Sequence, residues 1–161
     1  MTIVVKNKET LIFEDFSFKC CIGKNGITNN KIEGDKKTPK GLFSLGNVYY
    51  RKDKNIKPIT KLNSISINRQ MGWCNDVRNK KYNKLIKINK KIKHEKMFRK
   101  DYKYDYVIPI NYNTKNIKIG KGSAIFIHLT KNYKPTAGCI ALQKKDFLIL
   151  LRMISKNTKI K

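Results

Sequence analysis

The run Ala124-Ile-Phe-Ile-His128-Leu129 is followed, after one short polar stretch, by Pro135-Thr-Ala-Gly-Cys139-Ile-Ala-Leu142. No other feature constrains the fold as much. An imidazole stands near the end of an apolar strand, and a single loop brings a thiol back beside it. Strand alternation puts Ala124, Phe126 and His128 on one side and Ile125, Ile127 and Leu129 on the other. After the loop, Cys139 and Ala141 oppose Ile140 and Leu142. The two reactive groups can therefore share one face of a sheet.

That pairing carries chemistry. A free thiol is only about 3% thiolate at neutral pH, and a neighbouring histidine can act as its base and as a stabilising charge. The glycine in Thr136-Ala-Gly138-Cys139 permits a tight turn whose backbone N–H groups can converge on a developing oxyanion. The same residues also fit a plainer role, in which Cys139 is a buried core thiol and His128 a hydrogen-bonded core histidine.

At 161 residues the chain suits one domain, residues 1–161, with enough length to build a core without disulfides. The four cysteines, Cys20, Cys21, Cys74 and Cys139, form no CxxC pair and no metal-site spacing, so neither a zinc site nor a cystine scaffold is expected. Met1-Thr-Ile-Val-Val-Lys6 reads as an opening strand rather than a secretion signal, and no segment has the apolar length to span a bilayer.

A formal charge of +26 invites the thought of a nucleic-acid partner. The makeup of that charge argues otherwise. Of 37 basic residues only Arg51, Arg69, Arg78, Arg99 and Arg152 are arginine, the residue suited to bidentate phosphate or base contacts. Abundant lysine, asparagine and isoleucine together point to nucleotide bias at neutral surface positions. Loose, salt-sensitive attraction to polyanions is expected, specific nucleic-acid recognition is not.

The pattern along the chain is mainly β. Strands are expected at Thr2–Val5, Leu11–Phe13, Phe16–Ile22, Gly41–Tyr50, Leu62–Ile67, Tyr106–Ile110 and Ser123–Leu129, with Thr158–Lys161 as a final edge strand. Leu85, Ile88 and Ile92 in a lysine-rich background suggest a short surface helix or a wrapped loop between Asn79 and Lys100. The clearest helix runs around Lys144–Ser155, with Phe147, Leu148, Leu150, Leu151 and Ile154 as its apolar stripe and Asp146 in its first turn.

Thr136-Ala-Gly-Cys139, with His128 upstream, resembles the signature of L,D-transpeptidases of the YkuD type. The likeness extends through Gly23–Gly26, Gly34-Asp35, Thr38-Pro39-x-Gly41, Gly72-Trp-Cys-Asn-Asp76, Tyr82-Asn83, His94-Glu95, Arg99, Asp101, Tyr104-Asp105, Asn111-Tyr-Asn113 and Gly122–Phe126. These resemble the run of a short single-domain bacterial subgroup over roughly residues 19–154. Three positions depart from the commoner pattern. Thr136 stands for serine, Leu129 for a glycine after the histidine, and Ala141 for an arginine two residues beyond the cysteine.

The resemblance implies a β-sandwich or distorted barrel with a few short helices, acting on peptidoglycan stem peptides or muropeptides as a monomer, without metal or organic cofactor. It implies Cys139 as nucleophile, acylated by a tetrapeptide stem with release of D-alanine, and His128 as base and acid. The backbone N–H groups of Gly138 and Cys139 would stabilise the oxyanion, and Thr136 would orient the site. Arg99, Trp73 and Ala137 are candidates for substrate contact, with Arg99 or a lysine in place of the missing arginine. Trp73 fits a core plug at least as well, and His94-Glu95 with Arg99 and Asp101 fits either a supporting network or a solvated surface.

Two other functions remain open on sequence alone. An L,D-carboxypeptidase or endopeptidase would use the same site with water as acceptor, and a basic polyanion-binding module would carry an inert Cys139. The family's chemistry implies the cell envelope or periplasm, whereas the absence of a visible export signal leaves the cytoplasm possible.

Overall fold

A computed structural model describes residues Met1–Lys161. The chain is mostly β, with one ten-stranded curled sheet, two small sheets and a single helix at Lys144–Met153. Across the large sheet the strands run Phe43–Ser44, Lys159–Ile160, Thr2–Val5, Thr10–Phe13, Phe16–Cys21, Ile140–Leu142, Phe126–Leu129, Tyr106–Pro109, Val48–Tyr50 and Ser64–Ser66. The two strands that flank the reactive loop thus sit in the middle of the sheet, paired on both sides. Central placement fixes their register, since a one-residue slip would turn every apolar side chain to the wrong face.

Alternation decides what each side of these strands touches. Ile125, Ile127, Leu129, Ile140 and Leu142 enter the main core with Phe13, Leu11 and Tyr106. Phe126 and Cys139 enter a second, smaller core with Trp73, Tyr104 and Met97. The helix covers the main core with Phe147, Leu150 and Leu151, each buried side chain stabilising the docked helix by about 1.5–3 kcal/mol. Its N-cap, Gln143, makes no side-chain cap bond, so packing carries the helix, helped by Asp146 in the first turn and Arg152 in the last.

Three expectations change. The Asn79–Lys100 region holds no helix: Leu85–Lys87 and His94–Lys96 flank Met71–Cys74 in a three-stranded antiparallel sheet. Ile86 is buried while Leu85 and Lys87 face out, so a period of two replaced the helical reading of Leu85, Ile88 and Ile92. The stretch Gly41–Tyr50 splits into Phe43–Ser44 and Val48–Tyr50 around Gly46, whose backbone packs against Pro109. The last strand, Lys159–Ile160, is not an edge. It lies parallel to Thr2–Val5 on one side and antiparallel to Phe43–Ser44 on the other, which seats Ile160 in the core.

Candidate active site

Phe126–Leu129 and Ile140–Leu142 are parallel neighbours, with His128 opposite Ala141 and Ile127 opposite Ile140. The connection between them is only ten residues, Thr130 to Cys139, and holds no helix. Counting back two residues from Ala141 brings Cys139 to the same face as His128, one strand away. Both line one cleft of about 620 Å3.

His128 is nearly buried, and its ring packs edge-on against Tyr104 at 5.5 Å between centroids. Its Nδ1 lies 3.0 Å from the carbonyl oxygen of Leu129. A carbonyl only accepts, so Nδ1 carries the proton and the lone pair of the neutral ring is on Nε2. The backbone thereby sets the tautomer that a base requires, a task that an acid residue performs in other sites.

The thiol is held from two directions. It donates to the carbonyl oxygen of Ala124 at 3.3 Å and receives the N–H of Phe126 at 3.4 Å. No hydrogen bond joins it to His128. Ala124 has a φ of 53°, uncommon for a residue with a Cβ, and that conformation is anchored by its own N–H donating to Asn83 Oδ1 at 3.0 Å.

Immediately before the thiol, Thr136 folds the loop onto itself. Its hydroxyl donates to the carbonyl of Cys139 at 2.6 Å and accepts the Gly138 N–H at 3.1 Å. Thr38 clamps the same turn from outside, donating to the Gly138 carbonyl at 2.9 Å while accepting the Gly23 N–H at 2.9 Å. Gly138 has a φ of 136°, and a Cβ there would stand 2.8 Å from the carbonyl oxygen of Lys37. Only glycine fits this turn. Cys139 lies outside the strands, and its N–H has no partner among the loop hydrogen bonds.

Burial dominates the electrostatics. Loss of water pushes the Cys139 thiol up to about 12, with the Phe126 N–H opposing, and pulls the His128 imidazole down to about 4, with the Leu129 carbonyl opposing. Both groups are therefore neutral at rest, a thiol beside an imidazole rather than a thiolate beside an imidazolium.

Two carboxylates line the cleft. Glu95 Oε1 accepts from Arg99 Nη1 and from the Tyr104 hydroxyl, each at 3.0 Å, while Arg99 also grips Asp101 through Nε and Nη2. Glu33 Oε2 accepts from the Ser123 hydroxyl at 2.7 Å and from the Tyr82 hydroxyl, which in turn accepts the Gly122 N–H at 3.1 Å. Lys31, buried, is tied to Asp35 at 2.5 Å and to the Ile32 carbonyl at 2.9 Å.

Among the residues anticipated from sequence, Cys139, His128, Thr136, Ala137 and Arg99 all border this cleft. Gly138 lies beneath it, buried in the turn. Trp73 does not reach it. Its indole is buried, stacks edge-on against Phe126 at 5.2 Å and donates to Asn83 Oδ1 at 2.9 Å. Arg99 meets the cleft already committed to two carboxylates.

Asn83, Thr38, Ala124, Lys31 and Glu33 had no assigned role in the sequence reading. Asn83 uses both ends of its amide, since Nδ2 also donates to the carbonyls of Tyr112 and Asn113 at 3.0 and 2.8 Å. Asn83 and Thr38 lay inside quoted motifs, which was the available signal. Lys31 and Glu33 lay in a polar loop with no periodicity to mark them.

The family model described as YkuD, L,D-transpeptidase catalytic domain, matches residues 1–161, the full length described here. No curated protein and no solved structure matches the chain. No helix is long and apolar enough to cross a membrane.

Proposed function

The chain belongs to the YkuD family of L,D-transpeptidase catalytic domains, and from that premise we propose that it transfers an acyl group from a peptidoglycan tetrapeptide stem to an amine through a thioester on Cys139. The observation that carries this reading is that His128, on one strand, and Cys139, directly before its parallel neighbour Ile140–Leu142, both line one cleft.

The neutral resting pair shapes the mechanism. With the thiol held toward Ala124, the nucleophile forms only when a substrate carbonyl enters and the sulfur turns from that carbonyl toward it. The Cys139 proton passes to Nε2 of His128 as the carbon–sulfur bond forms, and the imidazolium then protonates the departing amine of D-alanine. The unpartnered Cys139 N–H supplies one donor to the tetrahedral oxyanion. Gly138 supplies a second when the oxyanion shares its N–H with Thr136. Each such donor lowers the barrier by about 3–4 kcal/mol.

In the second half an amine attacks the thioester, His128 takes a proton from it, and the sulfur leaves and is protonated again. Thr136 keeps the turn in shape throughout, and Ala137 forms part of the substrate wall. Arg99 acts on that wall through Glu95 rather than as a free carboxylate receptor, which supports a positioning role in place of the direct contact expected from sequence. Membership of the family supports a cell-wall substrate, and on that basis we assign the protein to the envelope.

Intact-mass analysis tests the reading. Incubation with a defined tetrapeptide stem is expected to add the mass of the stem less D-alanine, and added amine is expected to remove the adduct. Retained turnover in Cys139→Ala would end the assignment of the nucleophile.

A further inference from the structure

We propose that Glu95 is the receptor for a cationic amine acceptor, so that the cleft favours an ammonium-bearing nucleophile over water. This rests on the acyl-transfer reading of Cys139 and names the acceptor's chemical class.

The inference starts from charge. In a chain with 37 basic and 11 acidic residues, most anions are outnumbered by their surroundings. Lysines also line the cleft, at Lys31, Lys36, Lys103 and Lys134, but immediately around Arg99 the balance differs. Arg99 is bound by both Asp101 and Glu95, so the three residues together carry one negative charge. The Tyr104 phenol, buried between them, is pushed well above its usual range by lost hydration and stays neutral.

That surplus charge has a defined place. Glu95 Oε1 is saturated by Arg99 and Tyr104, and Asp101 is occupied by the guanidinium fork and the Lys103 N–H. Glu95 Oε2 makes no hydrogen bond within the protein. It belongs to a half-buried residue that lines the same cleft as Cys139, and it is held still by its own other oxygen. An anchored carboxylate with one free oxygen suits a charge-assisted bond from an ammonium group. Water, being neutral, gains much less from it. Lys36, Lys103 and Lys134 are exposed at the cleft's rim, where they attract anionic polymer without cancelling the inner carboxylate.

The steps balance. The ammonium bound at Glu95 loses one proton to solvent and its nitrogen attacks the thioester carbonyl. Nε2 of His128 takes a second proton from that nitrogen. The carbon–sulfur bond then breaks, the amide remains, and the sulfur takes the proton from His128. Glu95 touches the incoming amine and does not itself change protonation state.

The test compares two acceptors on the protein loaded with a tetrapeptide stem: glycinamide, largely cationic near neutral pH, and hydroxylamine, which is uncharged there. For Glu95→Gln the ratio of glycinamide product to hydroxylamine product is expected to fall about tenfold, the effect of losing one charge-assisted bond. Glu95→Asp keeps the charge and is expected to recover part of the ratio. An unchanged ratio in Glu95→Gln, or an equal fall in both variants, overturns the assignment in favour of a packing role. If the unmodified protein forms no thioester with the stem, the acyl-transfer reading itself falls, a result separable from either of these.

Discussion

The thiol of Cys139 donates to the carbonyl oxygen of Ala124 at 3.3 Å, and not to His128, four residues further along the chain. The sulfur is stored as a neutral thiol, in a burial that pushes its proton affinity up and that of the imidazole down. Reactivity is thus conditional on substrate, and this has measurable consequences.

Alkylation of Cys139 in the free protein is expected to be slow near neutrality and to accelerate only toward alkaline pH, with no inflection from a resident ion pair. His128→Ala is expected to leave that profile nearly as it is, while slowing acylation by a stem peptide by about 10²–10⁴-fold. Peptide-mapped labelling beside D-alanine release makes the comparison. A neutral-pH labelling plateau abolished by His128→Ala would show that a thiolate–imidazolium pair exists without substrate.

Folding stability is expected to depend on pH at both ends. His128 has a folded pKa of about 4 against an ordinary 6.5, so its contribution is full above 6.5 and lost as pH falls toward 4. Cys139 has a folded pKa of about 12 against 9.0, so its contribution is full below 9.0 and lost as pH rises toward 12. Denaturant titrations across pH should show a flatter acid limb in His128→Gln and a flatter alkaline limb in Cys139→Ala.

Thr136→Val keeps the shape of the side chain and removes the hydroxyl that joins the Gly138 N–H to the Cys139 carbonyl. A loss of about 1–3 kcal/mol in stability is expected, together with a lower kcat. Thr136→Ser, which restores the hydroxyl, should recover most of both. Thermal melts and steady-state product assays distinguish the two substitutions.

Asn83→Asp replaces an amide that donates to the Tyr112 and Asn113 carbonyls with an acceptor facing them. The side chain is 3% exposed, so the repulsion has no solvent to relieve it. Destabilisation of about 2–4 kcal/mol is expected, and because Asn83 also fixes Ala124, the thiol's environment should shift with it. Cys139 alkylation at fixed pH reads that shift: an unaltered rate in a folded Asn83→Asp would separate Ala124 from control of the thiol.

The sequence by itself determined the strands around the reactive loop, the common side of Cys139 and His128, a helix beginning at Lys144 and, through its resemblance, the family. These follow from side-chain periodicity, from one glycine's backbone freedom and from an ordered set of motifs, all of them local in the chain. Tertiary structure alone decided where the thiol rests, which tautomer His128 adopts, and that both are neutral. It also turned Leu85–Lys87 and His94–Lys96 into strands against Met71–Cys74, and it bound Arg99 to Glu95 and Asp101. Each of these depends on distant segments meeting: Ala124 and Asn83 are 41 residues apart, and Thr38 and Gly138 are 100 apart. Desolvation and hydrogen-bond partners come into being only when such segments pack, and no periodicity along the chain encodes them.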